Sequence, residues 1–498
     1  MAVDTIPAQL DLLRTKAYVD GEWIDADSGE TILVDNPATG ETIAEVPRLG
    51  AAETRRAIEA AAAAFPGWSG LVAKERARIL RAFADSMMAH QEDLAVLMTL
   101  EQGKPLAESR AEIAYAASFF EWFGEEAKRV YGDTIPAFAP GRQILVLKQP
   151  VGVTVGITPW NFPAAMITRK AAPALAAGCT MVAKPSDYSP ASAVELAALM
   201  DEAGFPPGVF NVVTGFGPAV GKALAAHPDV DKIAFTGSTL VGAEVAKAAA
   251  QNITGVLLEL GGKSAHVVFD DADLDAACNG VLAGVFAATG QTCMAGSRLL
   301  VARPVHDALV ERIADRARSI RLGDPRAAET EMGPVATEPQ YRKVLSFLAG
   351  AVTEGATVAA GGRPDDGLGG FFVQPTVLTG VKPTMTVACE EVFGPVLSVI
   401  PFDTEEEAVA LANDSRYGLA GAVWTKDIHR GHRVAHALRT GTVWINAYRV
   451  VGPDVPFGGY GLSGLGRENG IEAVHEYTQT KAIWVELTGG TRDPFTLG

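Results

Sequence analysis

The segment KIAFTGSTLVGAEVAKAAAQNITGVLLELGG, residues 232–262, decides the fold. It opens on a short apolar run, KIAF, turns at TGS, continues in a helical pattern through TLVGAEVAKAAAQN, and closes on a second apolar run, GVLLEL. The reading is strand, helix, strand, because a buried parallel strand shows as a short apolar run bounded by turn residues. The same alternation extends toward the N-terminus. VGVTVGI (151–157), CTMVAKP (179–185) and FNVVTG (210–215) are further strands, with helical ASAVELAALMDEAG (191–204) between the last two. Repetition of this unit predicts a parallel, doubly wound α/β sheet with helices on both faces.

A second series follows residue 262: AHVVFDD (265–271), a helix to about Ala288, then RLLVAR (298–303) and HDALVERIADRARSI (306–320). It predicts a second α/β domain, with the Gly/Pro/Asp-rich AGGRPDDGLGG (360–370) as a surface loop inside it. Before residue 150, apolar residues three and four apart predict covering helices over 51–65, 74–100 and 109–130. Two strand-like segments stand apart, RQILVLK (142–148) and KAIWVEL (481–487), and are expected to pair across a subunit contact.

At 498 residues the chain exceeds what one core supports, so two or three units are expected. A net charge of -17 without a Lys/Arg stripe argues against nucleic acid. The N-terminal MAVDTIPAQLDLLRTK lacks the apolar core of a signal peptide, and no apolar run reaches the length of a membrane span. A cytoplasmic protein with no membrane partner is the expectation. Cys179, Cys278, Cys293 and Cys389 are scattered and form no C-x-x-C pair, so neither a disulfide framework nor a metal site is expected.

Chemistry is sought in the loops at the carboxyl ends of the strands, where open α/β sheets bind ligands. Those loops are TPWNFP, KPSDYSP, TGFGPAVG and TGSTLVG, each at the start of a helix whose free N–H groups attract phosphate. Gly237 to Gly242 has the glycine spacing of a P-loop, but Ala243 and Glu244 follow in place of Lys and Ser/Thr. A dinucleotide pyrophosphate, or a plain turn with Ser238 at the helix cap, fits better. The literal G-x-G-x-x-G at Gly459, Gly461 and Gly464 follows no strand and reads as a wall or hinge. Cys293, in GQTCMAGSR (290–298), is either a buried thiol or a nucleophile, and its flanking Gly290 and Gly296 suggest close approach of a ligand. Glu259 ends an apolar strand, where a carboxyl with a raised pKa serves as a general base; an ion-pair or capping role stays open. Asn161 offers an amide donor for an oxyanion, or is a turn asparagine. Lys184 and Asp187 bind ribose hydroxyls or pair with each other.

The segments PWNFP, KPSDYSP, FTGSTLVG, LELGGKSA, GQTCMAGSR, EEVFGPV, GTVWIN and PFGGYGLSGLGRE occur in this order. Together the chain resembles the NAD(P)-dependent aldehyde dehydrogenase superfamily over nearly its whole length. The resemblance implies a Rossmann-type cofactor domain (1–128 and 149–262), an α/β catalytic domain (263–470) and a small β oligomerisation arm (129–148 and 471–498). It implies a homodimer or homotetramer. It makes Cys293 the nucleophile, Asn161 the oxyanion donor and Glu259 the base that hydrolyses the thioester, so the product is a free acid. It places Thr158, Pro159, Trp160, Lys184, Ser186, Asp187, Gly217, Gly237, Ser238, Glu391 and Phe393 on the cofactor. NAD is the expected cofactor, since Asp187 repels a 2′-phosphate, and NADP is the alternative. Phe162, Val451 and Phe457 are expected to line an apolar substrate tunnel, with Arg169 and Arg449 as its cations. The run NFPAAMITRK resembles succinate-semialdehyde dehydrogenases, but Ala287 and Val451 replace an arginine and a serine of that group. Two other classes compete: a cysteine hydrolase pairing Cys293 with a histidine, and a non-catalytic relative of the fold.

Overall fold

A computed structural model describes residues 13–490 and 493–495. The outer ends of two expected ranges, residues 1–12, 491–492 and 496–498, lie outside the described residues. The 232–262 segment folds as read: strands Lys232–Thr236 and Gly255–Glu259 are parallel neighbours joined by the helix Thr239–Ala250. Val153–Ile157 lies on the far side of Lys232–Thr236, followed by Thr180–Lys184 and Phe210–Val212, all parallel. The chain therefore runs outward from Val153–Ile157 in one direction and returns to continue in the other. The carboxyl ends of Val153–Ile157 and Lys232–Thr236 flank the switch point, where such sheets hold ligands. All three strands Val153–Ile157, Thr180–Lys184 and Lys232–Thr236 are buried throughout, as expected of a sheet covered on both faces.

Antiparallel strands close both edges of this sheet. Ala17–Val19 and Glu22–Ile24 extend one edge. Gly464–Leu465 pairs with Gly255–Glu259 at the other. The glycine-rich stretch read as a wall or hinge thus completes the first sheet, although it falls within the range expected for the second domain. Gly464 has a φ of +143°, and a Cβ there would sit 1.9 Å from the carbonyl oxygen of Leu258, so no larger residue could join the strand.

A second sheet of seven strands has Ala265–Val268 and Arg298–Ala302 at its centre, parallel to each other and to their neighbours Ala420–Trp424 and Val396–Phe402. The 360–370 loop lies between two strands of this sheet, Thr357–Ala360 and Thr376–Thr379.

Helices α1 (Ala51–Ser69), α2 (Ala73–Ala89), α3 (Gln91–Gln102) and α4 (Leu106–Glu126) cover the first sheet together with α5 (Ala165–Ala177) and α6 (Ala191–Glu202). The single helix expected over 74–100 is two, because His90 leaves the helical region at φ -104° and ψ 18°. The strand segments expected to meet across a subunit contact instead pair with each other. Arg142–Pro150 and Thr478–Glu486 form a nine-residue antiparallel ladder within the chain, extended by Asp133–Ile135. The bond from Val151 N–H to Tyr477 C=O starts this ladder, which pairs one side of Thr478–Glu486 and leaves that strand at the edge of the sheet. No helix among the described residues is long and apolar enough to cross a membrane.

Candidate active site

A cavity of about 500 Å³ opens at the switch point. One part of its wall carries Pro159, Trp160, Gly237, Ser238, Glu391 and Phe393; another carries Phe162, Met166, Arg169, Arg449 and Val451. Asn161 and Cys293 belong to the same wall. Thr158, Lys184, Ser186, Asp187, Gly217, Glu259 and Phe457 do not line it. Residues that the sequence scatters over 300 positions therefore converge because loops from both sheets face one space.

Local structure explains each position. Ser238 caps the helix Thr239–Ala250, its hydroxyl accepting from Val241 N–H at 3.3 Å, so the capping reading holds while the residue also faces the cavity. Lys184 ends its strand buried, its ammonium 3.9 Å from Asp187, and burial lowers its pKa against the pull of that carboxylate. The Ser186 hydroxyl accepts from Tyr188 N–H. Glu391 accepts from Gly262 N–H at 2.9 Å, and burial raises its pKa. Phe393 holds a left-handed φ of 57° and meets Trp160 edge-on at 5.4 Å. Gln340 fixes that turn by donating to the carbonyls of Val392 and Phe393, both at 2.8 Å. The buried hydroxyl of Thr158 has no partner, which suits a polar ligand at the strand end. A Cβ on Gly237 would lie 2.5 Å from the Phe235 ring, so the close packing of that ring requires glycine beside Ser238. Gly217 sits on an exposed turn away from the cavity.

Cys293 is half-buried on the cavity wall. Its flanking glycines do not admit a ligand, as the sequence suggested; they admit protein. A Cβ on Gly290 would lie 2.2 Å from the Gly394 carbonyl, and one on Gly296 would lie 2.1 Å from the His266 ring. Burial pushes the Cys293 thiol up to about 12, opposed by Arg169 and reinforced by Glu259 and Glu391. Because the folded value lies above the ordinary one, the thiolate fraction at neutral pH is small and grows tenfold per unit until the pKa is reached. Alkylation of Cys293 by iodoacetamide, followed on its own peptide by mass spectrometry, should therefore rise about tenfold per pH unit between pH 7 and 10. A rate that plateaus near pH 7 would contradict this.

Among the described residues no histidine lines the cavity, which removes the partner that a cysteine hydrolase requires. His266 accepts from Trp424 Nε1–H and packs against Tyr448 with ring centroids 4.1 Å apart, and burial lowers its pKa to about 3.

Asn161 donates from Nδ2 to the Gln291 carbonyl at 2.8 Å, and its Oδ1 is buried without a partner. One amide hydrogen thus stays free near the thiol. Glu259 is buried with neither oxygen hydrogen-bonded, and its pKa stands well above the carboxylate range. Burial is the main cause, with Glu468 adding to it and Arg169 and Lys170 opposing. The carboxyl lies toward Gly458, within a cluster of two acids and two bases. There Glu468 ion-pairs with Lys170 and, at 2.7 Å, with Arg169, whose Nε is close without being aligned as a hydrogen bond. Burial pushes Glu468 up, but Lys170 and Arg169 overcome it and hold the carboxyl below its usual value.

Arg169 therefore spends its charge on Glu468, although it lines the cavity. Phe457 supports it: the guanidinium lies 4.5 Å over the ring, and Phe457 pairs by backbone with Glu468. That is why Phe457 backs the cavity instead of walling it. Arg449, in contrast, donates to the Ala283 carbonyl at 3.0 Å and has no carboxylate partner among the described residues.

Several wall residues escaped the sequence reading. Lys104 ion-pairs with Glu112, donates to the Asn161 carbonyl at 2.8 Å and lies 4.1 Å over Phe162. Glu112 also accepts from Ala164 and Ala165 N–H, anchoring the start of α5. Lys170 and Glu468 stood inside quoted motifs, ITRK and GLGRE, and their charge in an apolar context was the available signal.

Parallel strand ends at a switch point open on a cavity walled by a thiol and an amide, with the buried Glu259 carboxyl behind it, an arrangement of an α/β enzyme with a ligand site at its strand ends. The chain belongs to the aldehyde dehydrogenase family, whose model matches residues 23–483. It is 52% identical over 472 residues to the glutarate-semialdehyde dehydrogenase of Pseudomonas aeruginosa, which covers 95% of this chain and 98% of the relative. It is 49% identical over 476 residues to the NADP+-dependent succinate-semialdehyde dehydrogenase of Escherichia coli, covering 96% and 98%. Among solved structures, the betaine aldehyde dehydrogenase of Staphylococcus aureus in complex with NAD+ superposes with a TM-score of 0.96 at 41% identity, covering 98% of each chain. The protein is an enzyme that oxidises aldehydes with a nicotinamide cofactor.

Proposed function

We propose that the enzyme converts an aldehyde to the free carboxylic acid through a covalent bond to Cys293. The observation that carries this reading is the single cavity wall on which Cys293 and Asn161 stand beside both the cofactor-side and the substrate-side residues. The Cys293 thiol gives its proton to solvent, the thiolate attacks the carbonyl carbon, and the carbonyl electron pair moves to oxygen, where the free Asn161 amide hydrogen and the Cys293 N–H hold it. The nicotinamide, when bound, accepts the hydride. The carboxylate of Glu259 then takes a proton from water as the water oxygen attacks the thioester, and the Cys293 thiolate leaves. Glu259 lies behind the wall, so its carboxyl turns toward Cys293 for this step, a movement its lack of hydrogen bonds permits.

The first sheet with helices α1–α6 serves as the cofactor domain and the second sheet as the catalytic domain. NAD+ is the favoured cofactor: the Asp187 carboxylate, 3.9 Å from the Lys184 ammonium at the strand end, would repel a 2′-phosphate bound beside it. The similarity to relatives named for glutarate and succinate semialdehydes supports an aldehyde with an acidic tail. Arg449, unpaired on the wall, is the cation that meets that tail, with Phe162 and Val451 as the apolar sides. The three-stranded sheet leaves Ile135, Phe138 and Trp484 exposed, an apolar face that a second copy covers in a homodimer or homotetramer.

Purified protein with succinate semialdehyde, glutarate semialdehyde and uncharged aldehydes of equal length, each with NAD+ and with NADP+, tests the reading. Reduced cofactor and acid should appear in equal amounts, faster with NAD+, and Asp187→Ala should improve kcat/KM for NADP+ by about tenfold, the effect of one removed like charge. No reduced cofactor with any aldehyde would overturn the function, and no change in Asp187→Ala would overturn the role of that residue.

A further inference from the structure

The turn that delivers the nucleophile is backbone-strained. Ala288, Thr289 and Gly290 hold consecutive left-handed φ values of 54°, 56° and 70°, and Cys293 follows three residues later. Only glycine takes this region freely, so two side-chain-bearing residues in succession persist only where the surroundings over-determine them. Most of the restraints are local or come from the segment around Gly333 and Ala336. Thr289 N–H reaches Phe286 C=O at 3.0 Å, and its hydroxyl reaches Gly333 C=O at 3.1 Å. Gln291 accepts from Ala336 N–H at 2.9 Å, and its carbonyl receives Asn161.

The first residue of the turn is held differently. Ala288 is buried just past the end of the helix Leu274–Val285, and its N–H points to the Glu108 carboxylate, with Oε1 at 3.0 Å and Oε2 at 3.1 Å. Glu108 stands in the first turn of α4, 180 residues earlier in the chain, and lines the cavity. No lysine, arginine or histidine among the described residues lies within ion-pair distance of it. The one bond made by this acid is thus to the backbone that enters the strained turn.

We propose that Glu108 is a positioning residue: its carboxylate holds Ala288 in the left-handed region and thereby aims Cys293 at the carbonyl held by Asn161. Without it the buried Ala288 N–H loses its partner, the turn relaxes toward negative φ, and Gln291, Thr292 and Cys293 shift with it. Asn161 is tied to the same turn through Gln291, so nucleophile and oxyanion donor lose their alignment together. The inference rests on the reading of Cys293 as the nucleophile.

The test compares wild type with Glu108→Ala, Glu108→Gln, Glu108→Ala/Ala288→Gly and Cys293→Ala. Glu108→Ala should lower kcat by about tenfold to a hundredfold, the size expected of a misplaced reacting group, with KM for the cofactor unchanged. The alkylation rate of Cys293 should change alongside it. Glu108→Gln, whose amide oxygen still accepts from Ala288 N–H, should keep most of the activity. Ala288→Gly in the Glu108→Ala background should restore much of kcat, because glycine adopts the left-handed turn without help. Rescue by both routes supports positioning. A Glu108→Gln as impaired as Glu108→Ala, with no rescue by Ala288→Gly, would overturn it and place the charge itself on the substrate. If Cys293→Ala is inactive while Glu108→Ala matches wild type, the positioning inference fails alone; if Cys293→Ala stays active, the reading beneath it fails.

Discussion

Cys293→Ala should lose cofactor reduction by a factor on the order of 10⁴ or more, as removal of a covalent nucleophile does elsewhere. The size of the loss follows from the site. The cavity holds no second thiol, since Cys179 and Cys278 are buried in the cores and Cys389 is on the surface outside the wall. It holds no histidine to activate water directly on the aldehyde. Cys293→Ser is the informative companion, because a hydroxyl keeps the shape while being a far weaker nucleophile. The fold should tolerate both changes: the side chain faces the cavity, so thermal unfolding should shift little. A Cys293→Ala protein that retains even a tenth of wild-type turnover would exclude covalent catalysis at this residue, whatever the family suggests.

The sequence carried the two sheets plainly, for a physical reason. Strands buried on both faces must be apolar throughout, so KIAF, GVLLEL and TMVA stand out from the helices between them. Glu259 and Asn161 were legible for the same reason, as polar residues at the ends of apolar runs. What the sequence hid was contact over long separations. Lys104, Glu108 and Glu112 sit on α3 and α4 or the link between them, helices whose apolar spacing records the face turned to the core and says nothing of the face turned to the cavity. The left-handed conformation of Ala288 and Thr289 contradicts their local preference and exists only because Glu108, Gly333 and Phe286 enforce it. The pairing of Arg142–Pro150 with Thr478–Glu486 joins strands more than 300 residues apart, and no local pattern states whether a partner strand comes from the same chain.

The site also divides its charges in a way that composition could not reveal. Arg169 and Lys170 are adjacent in sequence, yet both point to Glu468, which leaves Arg449 to face the cavity unpaired. Burial of two cations beside one acid tells on Lys170, whose pKa it lowers against the pull of Glu468. The cluster therefore couples the proposed base to residues that touch neither substrate nor cofactor. Removing the Glu468 carboxyl would leave buried positive charge, a loss of roughly 3–5 kcal/mol in folded proteins.

Glu259→Gln should separate the two halves of the reaction. Attack by Cys293 and hydride loss do not need the base for water, so the first turnover should proceed and reduced cofactor should appear in a burst of about one equivalent per active site. Hydrolysis then stalls, and the steady rate should fall by roughly 10²- to 10⁴-fold, the usual contribution of a general base. The amide is close to the carboxyl in shape, and both Glu259 oxygens are buried without hydrogen bonds, so the substitution breaks no hydrogen bond of the native site. The sign of its effect on stability follows from the raised pKa. An acid whose folded pKa lies above its unfolded one is held neutral by the fold, and it costs stability as pH rises from the unfolded value through the folded one. Glutamine has no such penalty, so Glu259→Gln should be at least as stable as wild type at pH 8 and should lose less in Tm between pH 6 and 9. A variant that shows no burst but a uniformly slow first turnover would instead assign Glu259 to deprotonating the Cys293 thiol, which burial holds near 12. That outcome would keep the residue in the chemistry while moving it one step earlier; unchanged steady turnover would remove it altogether.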